Sequence, residues 1–364
     1  MFLLISTFIV SVLYFLIILI FIRGWKNTFS FEPKGDIELD VSVSVIVPCK
    51  NEQDNILKLI SCLAQQSYQN FELIIVNDHS NDLTLNYIKN AQNFFPKIQL
   101  INANGFGKKN ALKEGILLAK SELILTTDAD CLPTYHWIEA IVSFQHSFPS
   151  AMIIGPVGIK DNKSIFSRLQ ALEFVSLVGA AAGSTGVGSS ILCNGANLAF
   201  QKKEWLKCQK NLHEKEQSGD DIFLLEELKK RGAKIRFLKS EAAFVKTMPQ
   251  IKLSDFIKQR RRWTSKSKLY TDWQIILTAC VIFGMSTLSL LLLLFSIYKT
   301  AYLIGFIAVF IFKFAIDTRF LYLIRRFFQL ENIWFYSFIL SLIYPFYIIF
   351  IALSAWIIPS KTWK

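Results

Sequence analysis

From Phe2 to Ile22 the chain runs for 21 residues without a charged side chain. At 1.5 Å per helical residue this covers a hydrocarbon core of about 30 Å, so a transmembrane helix is predicted. A cleaved leader is the competing reading. Against it, no basic residue precedes the run, no small-x-small site follows it, and Arg23, Gly24, Trp25 and Lys26 come directly after. A retained anchor is the expectation. Three further apolar runs, Ile275 to Tyr298, Ala301 to about Ile316 and Ile333 to about Ile358, read as spans, the middle one carrying Lys313 and Asp317 four residues apart. Residues 320–330 are expected along the membrane surface. With 52% hydrophobic residues and a mean hydropathy of +0.36, the composition excludes a purely soluble protein.

The net charge of +12 admits nucleic acid, an anionic membrane surface or basic flanks of membrane spans. Arg23 and Lys26, Lys258 to Lys268, and Arg319, Arg325 and Arg326 all lie beside apolar runs, as juxtamembrane charges do. No nucleic-acid motif accompanies them, and no nucleic-acid partner is expected. Arg23, Lys26 and Lys34 behind an uncharged N-terminus place that terminus outside and the next segment in the cytoplasm; Lys361 and Lys364 run against this count. The six cysteines are scattered without a C-x-x-C pair, which suggests reduced thiols rather than a disulfide frame or zinc site.

Between the first run and the last three, strand and helix patterns alternate: strands at 41–47, 71–78 and 98–104, helices at about 53–66, 81–94 and 107–120, then a strand beginning at Ser121. This is the pattern of a parallel sheet. Ile56, Leu59, Ile60 and Leu63 fall on one helix face that can pack on it. The last strand runs into Asp128 and Asp130, one residue apart, at the carboxyl edge where open α/β sheets bind ligands. Two carboxylates this close favour a cation, and hard oxygen ligands select Mg²⁺ or Mn²⁺. A solvated loop is the plain alternative. Two earlier loops, 48–55 and 77–82, also end strands and carry Glu52 and Asp78. Helix capping by Asn51 or Asp54, and by Ser80 or Asn81, is part of their expected work.

Past Pro133 the pattern predicts a helix to Phe148 and a strand over Ala151 to Ile159. Leu169 to Gly188 is apolar and small. A transmembrane span is one reading; an interfacial segment is preferred, because Gly179, Gly183, Gly186 and Gly188 are expected to interrupt a long helix. Ser218 to Gly232 reads as an acidic pair, Asp220 and Asp221, leading an amphipathic helix, with Asp220 as its cap. A basic segment near Gln259 to Trp263 reads as a membrane-flanking helix.

The stretches VSVIVPCKNE, IIVNDHSND, GKKNAL, TTDAD, GDD and QRRRW, in that order over about residues 42 to 263, resemble the motifs of family 2 glycosyltransferases. The resemblance implies a GT-A fold, a Rossmann-like and mostly parallel α/β sheet, with transmembrane α-helices, and a nucleotide-sugar donor. It implies that Pro48 and Glu52 line the nucleotide pocket, Asp78 reads the base, Lys108 approaches the diphosphate, Asp128 binds donor and Asp130 binds metal. Lys109 beside Lys108 is an alternative contact, the other lysine being a solvated charge. Asp221 aligns with the general base, although the family often has Glu before this Asp and Asp220 stands there. Arg262 would pair with the diphosphate and Gln259 and Trp263 would meet the acceptor, with Arg260 and Arg261 as membrane-flanking charges. Asn194 and Gly195 are similar to the acceptor-side loop, an ordinary Gly-Asn turn being the alternative.

The expected organisation is an anchor at 1–22, a linker at 23–40, a GT-A domain at 41–245, an interfacial Q-x-x-R-W segment at 246–273 and about three spans in 274–364. The expected protein is a multi-pass enzyme of the cytoplasmic membrane with its catalytic domain in the cytoplasm. It would move a sugar, with inversion, from a UDP-sugar to a membrane lipid or a growing polysaccharide, with membrane lipids around it and an oligomer allowed. A nucleotidyltransferase using the same sheet and metal site is the alternative.

Overall fold

The computed structural model describes residues 1–33, 40–160, 163–212 and 219–357. Lys34, Ser218, Ile358, Lys361 and Lys364, which entered the sequence reading, lie outside them. In chain order the elements are α1 (Phe2–Asn27), β1 (Val43–Cys49), α2 (Ile56–Ala64), β2 (Phe71–Asn77), α3 (Thr84–Gln92), β3 (Ile98–Asn102), α4 (Lys108–Leu118) and β4 (Leu123–Thr126). There follow β5 (Leu132–Pro133), α5 (Trp137–Ser147), β6 (Met152–Ile154), β7 (Val157–Ile159), α6 (Ile165–Gly186), β8 (Leu198–Gln201), α7 (Lys202–Cys208) and α8 (Asp220–Lys230). The chain continues with β9 (Ile235–Phe237), β10 (Val245–Thr247), α9 (Leu253–Thr264), α10 (Trp273–Phe295), α11 (Thr300–Ile324) and α12 (Ile333–Ile357).

These elements form two compact units, one drawn from Met1–Asn27, Asp161–Ile191 and Pro249–Ser360, the other from Thr28–Lys160 and Leu192–Met248. Residues 161–191, placed by sequence inside the 41–245 domain, thus cluster with the long helices.

The second unit is built on a seven-stranded sheet of order β3-β2-β1-β4-β8-β6-β9. Pairs β3–β2, β2–β1, β1–β4 and β6–β9 are parallel, and β8 runs antiparallel to both β4 and β6. A small sheet of order β5-β10-β7 completes it. The expected strand over 151–159 is therefore two strands in different sheets. They part at Gly155 and Pro156: a Cβ on Gly155 would collide with the Asn197 side chain, and proline cannot donate to a ladder. The periodic residues Ile56, Leu59, Ile60 and Leu63 of α2 are fully buried, each contributing about 1.5–3 kcal/mol. Helix α4 packs across β1 and β2, where a Cβ on Gly115 would press on Ile46 and Val76. The chain leaves β1 for β2 and β3 on one side and returns to β4 on the other. The carboxyl ends of β1 and β4 therefore flank the point where strand order reverses, which makes the crevice in which such sheets bind ligands.

The first unit is helical, and among the described residues five of its helices, α1, α6, α10, α11 and α12, are long and apolar enough to cross a membrane. Helix α6 corrects the sequence reading. It runs unbroken over 22 residues through Gly179 and Gly183, capped by the Ser164 hydroxyl, which accepts from the Ser167 N–H at 3.1 Å. Its glycines do not break the helix because they are contact points: a Cβ on Gly24 of α1 would collide with the Gly183 carbonyl oxygen, and one on Gly183 with the Phe21 backbone. Small residues bring membrane helices together this closely. Gly24→Ala should therefore cost about 1–3 kcal/mol through overpacking, read as a lower melting temperature of the detergent-solubilised protein. Gly284→Ala, whose added Cβ would meet only Val10 at 3.8 Å, should leave the melting temperature unchanged. Residues 320–324, expected along the membrane surface, form the last turn of α11. Lys313 and Asp317, four residues apart, form an ion pair.

Candidate active site

The loops after β1 and β2 are bound to each other. The Ser80 hydroxyl accepts from the Asn51 N–H at 3.0 Å, the Asn51 amide oxygen from the Asn81 N–H at 2.9 Å, and the Asp82 carboxylate from the Gln53 N–H at 3.2 Å. The side chains of Asn51 and Ser80, expected as helix caps, are thus used between loops, and α2 and α3 begin later than predicted, at Ile56 and Thr84. Glu52 is buried. Its N–H donates to the Thr84 hydroxyl at 2.7 Å and its carboxylate accepts from the Asn55 side chain at 2.9 Å. Pro48, also buried, pairs in register with Val76.

Asp78 is fully buried at the end of β2. Its carboxylate accepts the Gly107 N–H at 3.0 Å, with Lys50 at 3.7 Å and His79 Nδ1 at 3.2 Å. The His79 ring lies stacked on Phe106, centroids 4.2 Å apart. Asp78 thereby ties the β2 loop to the start of α4, the helix that carries Lys108.

Lys108 Nζ reaches Asp128 Oδ1 at 2.5 Å just beyond β4. Burial, and after it the charge of Asp128, pushes the Asp130 carboxyl up to about 6. A carboxylate in that position gains most from a cation. Among the described residues no cluster of three or more His, Cys, Asp or Glu forms a metal cage. Mg²⁺ and Mn²⁺ commonly take one or two carboxylates and complete their shell with water and phosphate oxygens, so Asp128 and Asp130 fit a cation shared with a diphosphate.

Lys109 is not the solvated charge expected of the second lysine. It is buried, donates to the Leu212 carbonyl and lies 5.3 Å from the Phe223 ring centroid. The pair can be separated by substitution: Lys108→Ala should lower sugar transfer by ~10²-fold. Lys109→Ala should cost about 1–3 kcal/mol of stability and leave donor affinity near wild type, as read by thermal melting and donor titration.

Gly195 joins the sheet to α8. Its carbonyl accepts from the Thr126 hydroxyl at 2.9 Å and its N–H donates to Asp221 Oδ2 at 3.1 Å. A methyl placed on Gly195 would lie 3.7 Å from Asp221 Oδ2 and 3.9 Å from Lys108 Nζ. The acid, the lysine and, through the lysine, Asp128 thus converge on a backbone that lacks a side chain. Asn194 accepts the Ala196 N–H at 3.0 Å, forming the turn that presents Gly195. Helix α8 differs from expectation: its N-cap is Gly219, at a φ of +100° that favours glycine. Asp220 and Asp221 are its first two helical residues, so Asp220 is not the cap.

With this geometry in hand, residues 44–208 match the family described as Glycosyl transferase family 2. These residues form a family 2 glycosyltransferase domain. The glycosyltransferase domain has the GT-A fold: the chain superposes on the mannosyltransferase PcManGT of Pyrobaculum calidifontis, solved in complex with GDP-Man and Mn²⁺, with a TM-score of 0.62. That likeness covers 93% of this chain and 99% of the other at 16% identity. By sequence, the chain is 27% identical over 242 residues to a poly-beta-1,6-N-acetyl-D-glucosamine synthase of Staphylococcus aureus (strain MSSA476), covering 65% of this chain and 57% of that protein. It is 28% identical over 170 residues to the synthase of the same name from Staphylococcus epidermidis, covering 45% of this chain and 40% of that one. The match thus spans 57% of the first relative's length and 40% of the second's. The alternative of a nucleotidyltransferase is not supported by these matches.

Pro48, Glu52, Asp78, Lys108, Asp128, Asp130, Asn194, Gly195 and Asp221 all lie in the α/β unit, whereas Gln259, Arg262 and Trp263 lie on α9 in the helical unit. Sequence reading missed Asn197, which is fully buried: it accepts from Trp137 Nε1 at 2.9 Å and donates to the Pro156 and Ala243 carbonyls, each at 2.8 Å. Nothing in the local pattern separates it from the neighbouring turn residues. It also missed Arg260.

Proposed function

We propose that this chain is a membrane-bound, inverting glycosyltransferase that moves a sugar from a UDP-sugar to a growing polysaccharide or a membrane lipid. The observation that carries the reading is the convergence of Lys108, Asp128 and Asp221 around Gly195 at the switch point of the sheet. Asp221 takes the proton of the acceptor hydroxyl as its oxygen attacks the anomeric carbon. The bond from that carbon to the diphosphate breaks in line, and the nucleoside diphosphate leaves with the electron pair. Lys108 and Arg262 offset the charge that grows on the leaving group. Asp128 and Asp130 hold Mg²⁺ or Mn²⁺, which when bound supplies positive charge to the diphosphate. Pro48, Glu52 and Asp78 shape the nucleotide pocket; Asn194, Gly195, Gln259 and Trp263 serve the acceptor. The base, the lysine and the two metal-binding carboxylates belong to the α/β unit, and the basic residues Arg23 and Lys26 at the end of the first helix favour its placement in the cytoplasm.

The names of the related synthases favour an N-acetylglucosamine polymer over a lipid product and make UDP-N-acetylglucosamine the first donor to test. Membranes containing the protein are incubated with labelled UDP-N-acetylglucosamine, Mn²⁺ and chito-oligosaccharide acceptors, and UDP release and product length are followed. Long labelled products would support the polysaccharide reading, and a single organic-soluble species the lipid. Release of inorganic diphosphate in place of UDP would overturn both.

A further inference from the structure

Arg260 sits at the second position of QRRRW, where a membrane-flanking helix would present a solvated charge. It is buried instead, as is Glu173 on α6. Arg260 Nε donates to both Glu173 oxygens at 3.2 Å and Nη2 to Oε2 at 2.5 Å, while the Tyr347 hydroxyl of α12 reaches Glu173 Oε1 at 3.2 Å. One turn away, Gln170 accepts the Gln250 N–H at 3.0 Å and donates to its carbonyl at 2.9 Å. Two points on one face of α6 therefore fix the segment that carries the motif.

The remaining guanidinium surface faces the motif itself. Nη1 donates to Gln259 Oε1 at 2.5 Å, and the guanidinium carbon lies 4.2 Å from the Trp263 ring centroid, with Phe256 at 4.5 Å. Phe174, next to Glu173, meets the Trp263 ring at 6.1 Å. Desolvating an ion pair is costly, and apolar residues of similar volume often serve stability as well. A planar fork is the group that can bind a carboxylate on one edge, hold an amide on another and stack on an indole. We infer that Arg260, clamped by Glu173 and Tyr347, is a positioning residue that fixes the Gln259 amide and the Trp263 ring for the acceptor. This rests on the reading above that Gln259 and Trp263 serve the acceptor.

The full chain in detergent is compared with Arg260→Lys, which keeps the charge but loses the fork, and with Glu173→Leu/Arg260→Met, which removes both buried charges together. Three quantities are measured with UDP-N-acetylglucosamine and chito-oligosaccharides: the acceptor KM, UDP release to water without acceptor, and the melting temperature. The expected result is a rise of at least ~10-fold in acceptor KM for both variants. UDP release to water should stay within about twofold of wild type and the double variant should melt near the wild-type temperature. A wild-type acceptor KM in Arg260→Lys would overturn the role. Parallel losses of transfer and of UDP release to water would do the same, since they mark a merely structural pair. If the wild-type chain itself neither releases UDP nor transfers sugar, the glycosyl-transfer reading fails, and the role fails with it.

Discussion

Asp130→Ala should abolish sugar transfer, by more than ~10³-fold, and remove the dependence of donor binding on Mn²⁺. Asp130 is the carboxyl that burial and the Asp128 charge push up to about 6, and a cation relieves both effects at once. Asp128 is already engaged by Lys108 at 2.5 Å, so alanine at position 130 leaves the cation one carboxylate that is shared with a lysine. Donor titrations with and without Mn²⁺ in the wild type and the variant check this. The wild type should gain affinity from the metal and the variant none. The sign of the pH effect follows from the same pKa. Below about 6 the proton competes with the cation for Asp130, so Mn²⁺-dependent donor binding in the wild type should weaken as pH falls through that value and recover above it. An Mn²⁺ effect that survives in Asp130→Ala would show that the end of β4 is not the metal site.

How much of this was legible beforehand depends on whether a residue's task is local. The alternation of strand and helix over 43–126 was readable because apolar periodicity reflects one face of each element against one sheet. Element ends were less so. Asn51 and Ser80 have the chemistry of helix caps, yet their side-chain oxygens are spent on bonds between two loops, which no local rule can distinguish. Gly179 and Gly183 look like helix breakers when a helix is considered alone; Gly183 is what lets the α6 and α1 backbones meet, and Gly179 leaves room for the Phe320 and Ile324 side chains of α11. Lys109 and Arg260 misled for a related reason. Each stands beside a lysine or arginine of the same type, and only the tertiary structure shows that Lys109 turns to the Leu212 carbonyl and Arg260 to Glu173. The acidic pair at 220–221 shows the same limit on a scale of one residue, because a cap one position earlier, at Gly219, changes what both acids are free to do.

That single-residue offset makes Asp221→Asn the sharpest test of the chemistry. If Asp221 takes the acceptor proton, the variant should lose at least ~10²-fold in transfer, because an amide cannot accept that proton. Donor affinity should remain near wild type. The nearly isosteric amide can turn its oxygen to the Gly195 N–H, now bonded to Asp221 Oδ2 at 3.1 Å, and so preserve the link between the Asn194–Gly195 turn and α8. What is lost is the bond that the Ile222 N–H donates to Oδ1 at 2.9 Å, a local contact worth about 1 kcal/mol at most. Asp220→Asn removes a negative charge at the same helix end, where the macrodipole term is about 0.3–1 kcal/mol, and it leaves the Gly219 cap in place. Its transfer rate should stay within a few-fold of wild type. Donor titration and transfer rates measured on both variants side by side separate the outcomes. Equal, mild losses would reduce the two acids to helix electrostatics. A collapse confined to Asp220→Asn would move the base by one residue and break the assignment that the Gly195 contact supports.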